Sequence, residues 1–155
     1  MFTALDADPE RLDQHEQNFV QRIREHGWFG THVMADAEGP GFTYTTGFWL
    51  KFGFPEMILF SMPKANAQGT FWHIYREREA GRRFPVGKPA REIFENAAAV
   101  LLSVSPEQYQ SHLGWSRWFY GNDSFECSSW YSRIETESFR GRQDRQRISG
   151  RLSLI

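Results

Sequence analysis

A single cysteine, Cys127, stands in the 155 residues, so an internal disulfide framework is excluded. Such sparing use of cysteine fits a reducing compartment, and the cytoplasm is the expected location. No stretch approaches the ~20 apolar residues of a membrane span, and Met1 to Glu10 lacks the basic flank and apolar run of a signal peptide. No membrane partner is expected. The formal net charge of -1 leaves no excess of one sign, which removes the global electrostatic case for binding nucleic acid. None of the five histidines, His15, His26, His32, His73 and His112, stands in a zinc-ligand spacing, so no metal is expected. A nucleophile elbow and a phosphate-cradling glycine loop are missing too, and no cofactor is expected.

What the chain has in quantity is rings. Fourteen Phe, six Trp and five Tyr supply a bulky interior, and the length suits one domain with one core. Asp8, Pro9 and Glu10 form a helix opening, and Leu12, Phe19, Val20 and Ile23 fall on one side of a helix that stops at Gly27. Strands are predicted at 28–35, 42–48 and 56–61, with a loop at 36–41, and the short connections make them antiparallel neighbours. A second helix is predicted from Pro63 through Phe71, Trp72 and Tyr75 to Gly81, then a loop at 82–89. Residues 97–104 read as a strand, with helix as the alternative. Ser105, Pro106, Glu107 and Gln108 have the capping-box pattern and open a third helix carrying Tyr109, Leu113 and Trp118 towards Gly121. The expected fold is α+β, a mainly antiparallel sheet with about three helices packed on it in a single domain. Trp72 and Trp118 are expected to be largely buried.

Candidate chemistry concentrates on the strand Gly41 to Phe48, where hydroxyls and a phenol stand in place of valines. Alternation puts Tyr44 and Thr46 on one face and Thr43 and Thr45 on the other. Pairing with the preceding strand is expected to bring His32, a group that titrates near neutral pH, towards Tyr44. Trp28 borders the same region, and Glu56 is a possible anchoring carboxylate whose blander reading is an exposed strand-end acid. Trp28, His32, Tyr44, Thr46 and Glu56 are therefore the ligand-binding candidates. Cys127 reads as a structural thiol, and His73 with Glu77 as an ordinary exposed helix pair.

The stretches His26-Gly27-Trp28, Pro40 to Phe48, Phe54-Pro55-Glu56 and Phe119-Tyr120-Gly121 resemble the bacterial family known as domain of unknown function 4262, over residues 8–125. The resemblance implies a small cytoplasmic protein and carries no established activity. Members usually close with a pattern such as LQLVxPDxxGxFPWE, which is missing here. Permitted codons for Cys127 to Asp144, regrouped from the last base of the Cys127 codon, read Leu-Gln-Leu-Val-Phe-Pro-Asp-Arg-Asn-Gly-Val-Phe-Pro-Trp-Glu. The family ending thus lies in the neighbouring frame. Residues 1–127 are accordingly expected to form the domain and 128–155 a frameshifted basic tail, with six Arg against three acids, that is weakly ordered and contributes little to the core.

These features lead to a binding or interaction module with an aromatic-lined pocket, its partner an unknown small molecule or protein. The alternative is a small hydrolase-like enzyme using His32, Tyr44 and Glu56.

Overall fold

Asp13, not Asp8, opens the first helix. Its carboxylate accepts from the Glu16 N–H while Glu16 reaches back to the Asp13 N–H, and this reciprocal cap starts α1 at Gln14–His26. Asp8 caps only a single 3-10 turn, Pro9–Arg11. The computed structural model describes residues 2–84, 89–94 and 97–132. Helix α1 ends as expected at Gly27, whose left-handed φ of 87° is open to glycine at little cost.

Three strands follow: β1, Phe29–Val33; β2, Phe42–Thr46; and β3, Glu56–Phe60. Each lies within its predicted span, and both pairings are antiparallel. Between β2 and β3 the chain does something the alternation did not reveal. Gly47 turns it, at φ 118°, into a short helix α2, Phe48–Phe52. Phe48 therefore ends up in a helix rather than at the end of a strand. Helix α3, Lys64–Glu79, starts after Pro63 as predicted. Strand β4, Pro89–Phe94, was not foreseen, whereas β5, Ala97–Ser103, settles the strand-or-helix choice as strand.

The predicted capping box at Ser105 does not form. The Ser105 hydroxyl instead donates to the nearby Glu107 carboxylate, and the segment begins with a 3-10 turn, Pro106–Gln108. What was expected as one helix is two, α4 at Tyr109–His112 and α5 at Gly114–Tyr120, because Leu113 leaves helical geometry with ψ at 45°. Five α-helical segments, counting only the described residues, thus replace the expected three.

A last strand, β6, spans Cys127–Ser132. It lies parallel to β3 and antiparallel to β5, giving one six-stranded sheet in the order β1-β2-β3-β6-β5-β4. This corrects the expected boundary at 127/128. Ser128, Ser129 and Trp130 are each at most 1% exposed in the middle of the sheet, so the first residues of the supposed tail belong to the core. Residues 133–155 lie outside the described part.

The sheet is the middle of three layers. Against one face pack α1, α4 and α5, where Phe19, Val20, Ile23, Tyr109, Leu113, Phe119 and Tyr120 meet Phe42, Tyr44 and Ile58. Against the other packs α3, whose Ala67, Phe71, Ile74 and Tyr75 meet Trp28, Phe48, Met57, Leu59, Leu101 and Trp130. Met57 and Ile58 point to opposite sides, as strand alternation requires. Full burial of each large apolar side chain contributes roughly 1.5–3 kcal/mol. Trp72 and Trp118 are only half-buried; the fully enclosed indoles are Trp28 and Trp130.

Candidate functional site

Glu56 is the polar centre of the molecule, and it is entirely buried rather than an exposed strand-end acid. It begins β3 directly beneath the Gly47 turn, so the first N–H groups of α2 aim at its carboxylate. Oε1 accepts from the Thr45 hydroxyl at 2.6 Å and the Phe48 N–H at 3.2 Å. Oε2 accepts from the Gly47 N–H at 2.9 Å, the Trp49 N–H at 3.1 Å and the Tyr120 hydroxyl. Burial pushes the Glu56 carboxyl above its ordinary value, while these donors pull the other way. Burial and the adjoining carboxylate push the Tyr120 phenol up as well, which keeps it a neutral donor.

The other hydroxyls are spent in the same manner. Tyr44 is 2% exposed, and its phenol oxygen accepts from the Trp115 N–H at 3.0 Å. Thr46 shares a 2.6 Å hydrogen bond with Ser116, which also donates to the Thr45 carbonyl at 3.1 Å. The Tyr120 oxygen takes the N–H groups of Gly47 and Leu50, both at 3.2 Å. Together these bonds staple the end of β2, the start of α2, the start of β3 and helix α5. Cys127 is buried, and burial pushes its thiol up, as suits a structural residue.

His32 does not join them. In the β1–β2 register it stands opposite Thr43, while Thr31 stands opposite Tyr44, so His32 and Tyr44 occupy opposite faces. Its Nδ1 lies 2.7 Å from the Thr43 hydroxyl. His73 and Glu77 are neighbours one helical turn apart, with Nε2 3.8 Å from Oε1.

Trp28 differs from every other candidate. It is 3% exposed, ringed by Phe48, Phe71 and Trp72 in edge-on contacts at 5.2–6.0 Å, yet its Nε1–H has no hydrogen-bond partner among the described residues. Beside it, the Lys51 ammonium donates to the Tyr75 hydroxyl at 2.5 Å and sits 4.9 Å from the Tyr75 ring centre. That hydrogen bond raises the Lys51 pKa. Glycine 27 makes this packing possible: a Cβ there would stand 2.3 Å from the Tyr75 hydroxyl.

Sequence reasoning missed Lys51, Tyr75, Ser116 and Tyr120. Tyr120 was within a quoted motif, but nothing in its spacing revealed that its phenol meets a carboxylate 64 residues away. Lys51 gave no signal, because α2 itself was not anticipated, and Tyr75 was legible only as an apolar-side residue of its helix, with nothing to reveal its hydroxyl meeting Lys51.

Fold and hydrogen-bond pattern define a single-domain α+β protein whose motif residues converge on one buried carboxylate. The chain belongs to the family described as domain of unknown function (DUF4262), which matches residues 22–130. That span includes Trp28, Thr45, Gly47, Glu56, Tyr120 and β6 as far as Trp130. No curated protein and no solved structure matches the chain significantly.

Proposed function

We propose that the protein is a non-enzymatic binding module of the bacterial cytoplasm, with its ligand site bordered by Trp28. The observation that carries this reading is the indole N–H, unpaired among the described residues, in an otherwise aromatic surround. A buried donor without an acceptor costs about 1–3 kcal/mol, and such a group is more often completed by a ligand or water than left empty. Tyr44, Thr46 and Glu56, the other expected contacts, have their hydrogen bonds committed to the fold and serve as scaffold in this reading. The lone buried cysteine suits a reducing compartment.

A thermal-shift screen of wild type and Trp28→Phe against a broad panel of small metabolites tests it. A ligand present at 100 times its Kd adds about 2.7 kcal/mol, or roughly 5–10 °C in a domain of this size. At least one compound is expected to raise the wild-type midpoint in this way and to do less for the variant. A panel that moves neither protein, or both equally, argues against a Trp28 site.

The hydrolase-like alternative rests on the 2.7 Å contact between His32 Nδ1 and Thr43 Oγ1, a base beside a hydroxyl. Thr43 is fully buried, however, and Tyr44 lies on the other face of the sheet, which favours the binding reading. Ester turnover that disappears in Thr43→Val while the fold is retained would reverse that preference.

A further inference from the structure

We propose that Trp28, Lys51 and Tyr75 bind the carboxylate of a flat, apolar acid, an inference that rests on the binding reading above and names its ligand class. Three hydrogen-bond donors at this end of the molecule remain available. The Trp28 Nε1–H has no partner among the described residues. The Tyr75 oxygen accepts from Lys51, and among the described residues nothing takes its own proton. Lys51, 39% exposed along its side chain, holds the Glu79 carboxylate only loosely, at 3.4 Å. Donors without acceptors select an acceptor-rich group, and a single ammonium among them selects a monoanion over a doubly charged phosphate.

The surround fixes the rest of the ligand. Phe52 lies 5.4 Å and Trp72 5.7 Å from Tyr75, both edge-on, and Trp72 stands 5.2 Å from Trp28. Rings so arranged accept another flat body in the same geometry. Trp72, edge-on to the Trp28 indole, is itself half-buried and reaches the surface. Glu79 is the internal carboxylate that a ligand anion must replace at Lys51.

Phenylacetate and its uncharged counterpart phenylacetamide are suitable probes, followed through the indole N–H resonances of the nitrogen-15-labelled protein. Trp28→Phe assigns the relevant signal by removing it. Phenylacetate is expected to shift the Trp28 signal saturably, and phenylacetamide to bind about tenfold more weakly, as loss of a charge-assisted bond implies. Lys51→Met should weaken phenylacetate by about the same factor. Glu79→Gln should tighten it, a result that a purely structural role for Lys51 does not produce. Each variant is checked for a wild-type pattern of the remaining indole signals.

Equal binding of acid and amide, or indifference to both Lys51→Met and Glu79→Gln, overturns the carboxylate assignment. An unmoved Trp28 signal overturns the site. Either failure leaves the metabolite screen to judge the broader reading, since a neutral compound stabilising the wild type through Trp28 would support binding without this ligand class.

Discussion

Replacing Glu56 by glutamine exchanges one carboxylate oxygen for an amide nitrogen where every neighbour is a donor. The least costly orientation puts the nitrogen in the place of Oε1, facing the Thr45 hydroxyl and the Phe48 N–H. The Thr45 hydroxyl, which already receives the Met57 N–H at 2.9 Å, can take the amide proton only on its second lone pair, and its own proton then loses the acceptor it had in Glu56. The Phe48 N–H loses its acceptor at a fully buried position. One orphaned buried donor costs about 1–3 kcal/mol, and weaker bonds from Gly47, Trp49 and Tyr120 to an uncharged oxygen add to this. The amide is easier to desolvate than the carboxylate, which offsets part of the loss. The expected net destabilisation is about 2 kcal/mol, against a total of roughly 5–15 kcal/mol for a domain. Urea titration followed by tryptophan fluorescence measures it directly, with an unchanged m value showing that the unfolding transition is otherwise the same. A variant as stable as wild type would mean that the cost of burying the carboxylate cancels its donors, and that Glu56 does not staple these elements together.

The same carboxylate makes stability depend on pH. Since burial raises its folded-state pKa above the ordinary value of 4.5, the folded protein holds this proton more tightly; that contribution is fully present below pH 4.5 and is lost as pH climbs through the folded value. Denaturation curves from pH 4 upward should show this decline in wild type and a flatter profile in Glu56→Gln; identical profiles would contradict it. Gly47→Ala should destabilise by about 3 kcal/mol or more, because the position has φ 118° and the added Cβ would stand 2.5 Å from the Gly27 carbonyl oxygen and 2.9 Å from the Trp28 Cα. Calorimetry finding a midpoint within 2 °C of wild type would be inconsistent with that crowding. Ser128→Ala should stabilise by on the order of 1 kcal/mol, since the Ser128 hydroxyl is buried without a partner among the described residues. A loss of stability in the same titration would imply a role for that hydroxyl which the structure does not show.

How far the sequence could be read depended on the range of the interaction. Local signals located α1 near its end, β1 to β3 and α3, because Gly27, the Thr-rich alternation of Phe42 to Thr46 and the turn after Phe60 act through nearest neighbours. The α2 insertion was missed because Phe48 to Phe52 is apolar enough for either structure, and the left-handed Gly47 decides between them only through its packing on Gly27 and Trp28. Glu56 was underestimated for a related reason. A charged residue next to proline looks like a surface acid until the N–H groups of α2 and the Tyr120 phenol arrive from elsewhere in the chain. The opening of β6 was hidden by its own composition, since Cys-Ser-Ser before Trp130 gives little apolar pattern, and only its place between β3 and β5 buries it. With the codons taken above, the neighbouring reading frame would write Leu-Gln-Leu across this junction, which brings two leucines to a buried strand. Sequencing the coding DNA tests that expectation.

Putting β6 between β3 and β5 also has a consequence for synthesis on the ribosome. The partner of β3 is made late: Phe60 ends β3 and Cys127 begins β6, an interval of roughly 3–13 s at ordinary translation rates. Throughout it the nascent chain carries β1, β2 and β3 with one flank of β3 unpaired, a template for joining other nascent strands. Cys127 to Ser129, which later pair along that flank, are made only after β4 and β5. Yield in the cell should therefore respond to trigger-type chaperones and to slow codons before Cys127 more than the equilibrium stability of the finished protein would suggest.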